Sequence, residues 1–327
     1  MTFLLKHSIF KILFFFVPTA FLLTGCSETS QPVAPVMPDS CQIFTVKGNF
    51  YIACESIKSL PAPVFSAASG TFSYSTKISV VTDSIPVGTI VEISRDNGKT
   101  WNETNEITLT DSGEVWARNR FYQLISPVNK GRFSIYYQRV LVVGNSITAH
   151  GRAPDVGWNG DWGMAASAAD SDYLHLITRK LQSKYSKVDI RVLNGVGFEN
   201  NYWNYDFKQV TPYTEFKPDL IIMRISENVN ADYLYMFESR YDQLITTLTS
   251  GSAPKVICTT SFFPNKEDVS RLVKNVASNK GYQVVDLEPL TKDKTYAAYN
   301  FFADKGVGSH PSDKGMQAIA DLISKAF

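Results

Sequence analysis

The sequence predicts an α/β protein: a three-layer α/β/α domain built on a parallel sheet over residues 139–327, preceded by a small antiparallel β-sandwich over residues 41–138. Three observations carry that reading. Apolar runs separated by helical stretches fill the second half; short alternating runs separated by turn residues fill the first; and the texture changes abruptly after Gln138. Strands apolar on both faces belong to parallel sheets covered by helices on both sides, whereas period-2 alternation belongs to antiparallel sheets with one wet face.

The elements follow in chain order. Residues 1–25 carry Lys6 and Lys11 ahead of the apolar run "ILFFFVPTAFLL", which runs into "LTGC" at residues 23–26. The run is broken by Pro18 and falls short of the roughly 20 apolar residues of a bilayer span, so it reads as a signal peptide. The cysteine after it resembles a bacterial lipobox, which implies lipidation of Cys26 and attachment to the cell envelope, with the outer membrane or cell surface favoured. Residues 26–40, "CSETSQPVAPVMPDS", form a polar, Pro-rich tether. Cys41 and Cys54 then bracket two short β-like runs around Lys47, Gly48 and Asn49. A hairpin there could bring the sulfurs together in an oxidising compartment, so a disulfide is expected.

Next come "GTFSYSTKISVVTD", "GTIVEISRDNGKTW", "EITLTDSGEVWARNR" and "RFSIYYQ", the expected sandwich strands. "SRDNGKTW" fits the spacing of an Asp box, but its single copy argues for a tight turn with Trp101 packed beneath it and not for a repeated propeller blade. The segment from Pro63 to Tyr137 resembles small β-sandwich modules attached to chitobiases and other carbohydrate-active enzymes, which implies a spacer or accessory role.

In the second half, "RVLVVG", "DIRVLNG", "DLIIMRIS", "KVICTTS" and "YQVVDLE" read as buried parallel strands, with helices between them and a terminal helix in "DKGMQAIADLISKAF". Sites in such sheets lie beyond the carboxyl ends of the strands. Ser146 follows the first run directly, in "VLVVGNSITAHG". A serine nucleophile needs a base, usually histidine, and donors for the oxyanion. Beyond the leader the histidines are His150, His175 and His310. His175 sits within a helix; His310, in "GVGSHPSDKG", lies on a Gly-rich loop before the last helix, from which it can reach the same sheet edge as Ser146.

At these residues the chain resembles the SGNH (GDSL-type) hydrolases over Arg139 to Phe327. "GNSIT" is similar to their first block with Asn145 in the usual Asp place, "MRISENVN" stands where their Gly-x-Asn-Asp block falls, and "GSHPSDKG" is similar to the final His block. The resemblance implies Ser146 as nucleophile, His310 as base, and an oxyanion hole of the Ser146 amide, the Gly197 amide and the Asn228 side chain. Val307 occupies the position where an Asp is usual, so Asp304 is taken as the displaced third member, with a backbone carbonyl, Glu199 or Glu227 as the other ways to orient His310. Asn145, Trp158 and Trp162 are assigned to the substrate, because indoles beside a catalytic serine can stack on a sugar ring.

The expected activity is removal of O-acetyl groups from a polysaccharide or oligosaccharide. A general short-chain esterase or lipase, and an inactive surface glycan-binding lipoprotein, are the alternatives. Partners are thus an acetylated glycan or small ester and, through the lipid, a membrane. A near balance of 32 Lys+Arg against 31 Asp+Glu gives no basic stripe for nucleic acid. No metal or organic cofactor is implied, and the oligomeric state is left open.

Overall fold

The computed structural model describes residues 41–46, 49–54, 58–83, 85–86 and 88–327. Cys26, the leader and the tether lie outside them. β1 (Cys41–Val46) and β2 (Asn49–Cys54) form an antiparallel hairpin whose register sets Cys41 opposite Cys54; the two cysteine side chains lie outside the described residues.

Two sheets follow. β3 (Val64–Phe65), β5 (Thr76–Val81) and β8 (Glu106–Leu109) make a three-stranded sheet. β4 (Gly70–Ser73), β11 (Asn129–Tyr136), β9 (Gly113–Phe121), β6 (Ile90–Ser94) and β7 (Asn102–Glu103) lie side by side in that order, with β10 (Leu124–Ile125) added on β9. Alternation along β9 buries Val115, Ala117, Asn119 and Phe121 and leaves the residues between them partly wet. One pairing departs from the antiparallel expectation: β4 runs parallel to β11.

The Asp-box segment is the turn its sequence suggests. Asn97 and Gly98 take positive φ, and the Asp96 carboxylate accepts from Thr100 N (2.9 Å), Thr100 Oγ1 (2.6 Å) and Ser94 Oγ (2.7 Å), which holds its pKa down to about 2. A side chain at Gly98 would meet the Trp116 ring at 3.0 Å, so glycine is required both for its φ and for space.

The described chain forms two compact units. One holds the residues up to Ala68 with Ile78–Ile107 and Glu114–Gly131; the other holds Ser69–Lys77, Thr108–Gly113 and Arg132–Phe327.

The second unit contains the parallel sheet. Its strands, β12 (Arg139–Gly144), β13 (Asp189–Asn194), β14 (Leu220–Arg224), β15 (Lys255–Thr259) and β16 (Gln283–Val285), stand in the order β13-β12-β14-β15-β16, all pairs parallel. Leu141, Val143, Ile221, Met223, Val256 and Cys258 form one buried face with Phe237, Leu244 and Ile245 of α4 (Leu234–Thr249) and Val273 and Val276 of α5 (Glu267–Lys280). The alternate residues Val140, Val142, Leu220 and Ile222 are equally buried. They point to the opposite face. α1 (Tyr173–Lys184) and α7 (Asp313–Ser324) pack on each other, burying Ile177, Leu181, Ile319 and Ile323. The apolar-on-both-faces reading of these runs is therefore what the sheet shows.

Register places the site. Gly144 pairs with Asn194 on one side and Arg224 on the other, so three neighbouring strands end at one level. The loops leaving that edge carry Ser146, α2 (Val196–Asn201) and Ser226–Asn228.

Candidate active site

Ser146 is held by the turn around it. A Cβ on Gly144 would overlap the Thr148 side chain, so only glycine lets the strand end close against this turn. Thr148 N and Ala149 N donate to Asn145 O at 2.8 and 3.1 Å, and Ile147 N donates to Asn145 Oδ1 at 3.2 Å. This bends the chain at Ser146 and leaves its hydroxyl half-buried at the sheet edge.

That hydroxyl meets His310. Ser146 Oγ lies 2.8 Å from His310 Nε2, across 164 residues of sequence. Nδ1 of the same ring lies 2.8 Å from the carbonyl oxygen of Gly306. A carbonyl can only accept, so Nδ1 carries the proton and Nε2 presents its lone pair to the serine O–H. Burial lowers the His310 pKa against the opposing pull of the Gly306 carbonyl and of Glu227. The shift favours the neutral ring, the form that can act as a base. Phe263 stands edge-on to it, with centroids 5.2 Å apart.

The expected third member is replaced by a backbone group. Asp304 is the N-cap of α6 (Lys305–Gly308), its Oδ1 accepting from Val307 N at 2.8 Å, and His310 Nδ1 is engaged by Gly306. Asp304 thus shapes the turn whose carbonyl orients the imidazole. Val307 is buried in an apolar cluster with Trp158, Met164, Ala165 and Ala298, where a carboxylate would have no partner.

Glu199 and Glu227 do not orient His310 either. Glu199, fully buried on α2, accepts from Asn228 N at 3.2 Å, Asn228 Nδ2 at 2.8 Å and Asn145 Nδ2 at 3.2 Å. Glu227 accepts from Asn145 Nδ2 at 2.7 Å, Phe262 N at 2.8 Å and Arg224 Nη1 at 2.7 and 2.8 Å. Burial and the neighbouring Glu227 raise the Glu199 pKa. Burial would raise that of Glu227 too, but the Arg224 charge and the hydrogen bonds bring it below the ordinary value. Losing either partner of the Arg224–Glu227 pair, both wholly buried, would typically cost about 3–5 kcal/mol.

The remaining expected residues divide. Gly197 lies in the first turn of α2, where N–H groups have no intrahelical acceptor, and is exposed with open space at its Cβ position. The Gly195 amide is spent on Gly144 O at 2.7 Å. Asn145, expected at the substrate, is instead buried between the two carboxylates. Trp158, expected as a platform, is buried: its N–H donates to His150 O at 3.2 Å, and its ring packs on Trp162 and Phe302 at 5.7 and 6.2 Å. Trp162 is half-buried, with its N–H on Ala166 O at 2.9 Å. His175 bonds Asp172 at 2.9 Å, in a structural role on α1.

Sequence reading offered a backbone carbonyl as one way to orient His310 without identifying Gly306, and it missed Phe263 and Arg224. For Arg224 a signal was present: an arginine followed at i+3 by a glutamate, at the end of the apolar run "DLIIM", marks a buried pair.

No family model matches the chain, and no curated protein matches it. Among solved structures it is similar to a two-domain esterase active on acetylated mannans, with 17% identity over 57% of this chain and a TM-score of 0.40; it spans 47% of that chain's length. It is similar to an acetyl xylan esterase, AlAXEase, at 18% identity, covering 57% of this chain and 98% of that one, with a TM-score of 0.36. A member of the lipolytic protein G-D-S-L family from Veillonella parvula DSM 2008 matches at 15% identity over 58% of this chain and 97% of its own, with a TM-score of 0.34.

Proposed function

We propose that the chain is an SGNH-type serine ester hydrolase that removes O-acetyl groups from carbohydrate. The observation that carries the reading is the relay Ser146 Oγ, His310 Nε2, His310 Nδ1, Gly306 O, with 2.8 Å at each hydrogen bond. It holds the imidazole in the one tautomer that can take the serine proton.

In the proposed reaction Ser146 Oγ attacks the ester carbonyl carbon as its proton passes to His310 Nε2. The oxyanion is held by the amides of Ser146 and Gly197 and the side chain of Asn228; losing one such donor typically costs about 3–4 kcal/mol of transition-state stabilisation. Collapse expels the sugar alkoxide, which takes the proton back from Nε2 and leaves an acetyl-serine. Water, deprotonated by the same nitrogen, attacks the acetyl carbonyl, and acetate departs as Ser146 regains its proton.

A polar ring as leaving group is supported by the aromatic side chains of the loop leading to α6, where Tyr299 is 41% exposed and Phe301 74% exposed. Exposed aromatic faces on the chain leading into the helix that holds the Gly306 carbonyl suit sugar stacking better than a covered acyl channel does. The reading includes envelope anchoring through Cys26, the Cys41–Cys54 disulfide and an accessory role for the β-rich region ahead of the parallel sheet. The test is acetate release from acetylated xylan and from an aryl acetate by the chain and by Ser146→Ala. Release that Ser146→Ala abolishes supports the proposal. A preference for acyl chains beyond butyrate would replace it with a lipase, and no release from either substrate would overturn it.

A further inference from the structure

The three-donor cradle on Glu199 has no part in the proton relay, yet it grips the one side chain expected to face the oxyanion. We propose that Glu199 is a positioning residue that fixes the Asn228 amide, and that Asn145, in the usual place of Asp, is what allows Glu199 and Glu227 to stand together beside the nucleophile. The inference rests on the ester-hydrolase reading.

The argument is one of donor counting. An Asn side-chain nitrogen has two hydrogens at fixed angles in the amide plane. In Asn228 one of them goes to Glu199 Oε2 at 2.8 Å, and the backbone N–H of the same residue goes to Glu199 Oε1 at 3.2 Å. One carboxylate therefore grips both ends of the residue. Rotation of the side chain is blocked, and the second Nδ2 hydrogen has a fixed direction. A donor aimed before the reaction costs no reorganisation during it.

Asn145 completes the pattern. Its two Nδ2 hydrogens face Glu227 Oε2 at 2.7 Å and Glu199 at 3.2 and 3.3 Å, while its Oδ1 takes Ile147 N at 3.2 Å. The amide bridges the two acids with its donors and ties them to the turn that carries Ser146. An aspartate of the same shape would offer only acceptors to two acceptors. Arg224 offsets the charge of Glu227, whereas the hydrogen-bond donors to Glu199 among the described residues are all amides. A third carboxylate here would be opposed by both neighbours.

The test measures kcat and KM of the full chain on an aryl acetate for wild type, Glu199→Gln, Asn228→Ala, the Glu199→Gln/Asn228→Ala double variant, Asn145→Asp and Asn145→Asp/Glu199→Gln. Glu199→Gln should lower kcat roughly 10- to 100-fold with KM within about twofold, and Asn228→Ala about 100- to 1,000-fold. In the Asn228→Ala background, Glu199→Gln should then have no further effect, because its action runs through that amide. Asn145→Asp should lose activity, and adding Glu199→Gln, which restores a donor opposite the new carboxylate, should recover about tenfold or more of it. If Glu199→Gln does not fold, Glu199→Asp, which withdraws the carboxylate from Asn228, should show the same loss in kcat and the same dependence on Asn228.

Wild-type kcat in Glu199→Gln, or equal losses with and without Asn228, would overturn the positioning role while the hydrolase reading stands. A wild-type chain that hydrolyses nothing and whose Ser146 takes no fluorophosphonate would sink the hydrolase reading, and the positioning role with it.

Discussion

His310 and Gly306 are joined by a hydrogen bond of 2.8 Å from the imidazole Nδ1 to a backbone carbonyl, which stands where a carboxylate stands in a Ser-His-Asp triad. It sets the tautomer and the ring angle. A carbonyl brings no full charge, so in the proposed reaction the imidazolium gains less stabilisation than it would from an ionised Asp.

Asp304 should consequently behave as a helix cap. Asp304→Ala removes the acceptor for Val307 N and should cost about 1 kcal/mol of stability, with a loss in kcat below about tenfold. Removing the Asp of an established triad costs about 10⁴ in turnover. Steady-state kinetics and thermal unfolding of the variant distinguish the two roles, and a loss near that size in folded protein would make Asp304 catalytic.

Restoring the usual Asp should not help. Val307 is 2% exposed among Trp158, Met164, Ala165 and Ala298, so Val307→Asp buries a carboxyl among apolar side chains. The expected cost is about 3 kcal/mol or more, visible as a large drop in Tm, with no gain in kcat. A stable, faster variant would show that the loop re-forms a triad.

The pH dependence follows from burial. Burial depresses the His310 pKa, so NMR titration of its ring should give a midpoint below the ordinary imidazole value of about 6.5. The sign for stability follows. The unfolded chain takes up this proton more readily than the folded one, so the contribution is present above the unfolded pKa and is lost as pH falls through the folded value. A midpoint at or above 6.5 would mean that the ring is wetter, or closer to negative charge, than described.

The buried ion pair gives a stability test that needs no turnover measurement. Arg224→Met leaves Glu227 buried without its cation and should cost about 3–5 kcal/mol, whereas Arg224→Met/Glu227→Gln should recover part of that by removing the stranded charge. Denaturant titration of both variants reads the difference.

The parallel strands and the serine and histidine of the relay were legible in the sequence. Val140–Val143 and Leu220–Met223 are continuous apolar runs, which a sheet covered on both faces requires, and a nucleophile and a base after such elements have few other places to be. A backbone carbonyl was among the alternatives for orienting His310, but which one was not legible, because a carbonyl belongs to every residue and nothing in Gly306 marks it. The carboxylate network was hidden by distance along the chain. Asn145 meets Glu199 and Glu227 at separations of 54 and 82 residues, and only the shared level of the strand ends brings them together. Trp158 misled for a different reason: composition shows an indole near the serine, but its direction is set by the His150 carbonyl and the Phe302 ring.

The most direct test is mass spectrometry of the folded chain after treatment with an alkyl fluorophosphonate, beside His310→Ala and Asp304→Ala. The account predicts one adduct on Ser146, its formation slowed by orders of magnitude in His310→Ala and nearly unchanged in Asp304→Ala. No adduct on Ser146 of the folded wild type, or equal reaction with and without His310, would contradict it.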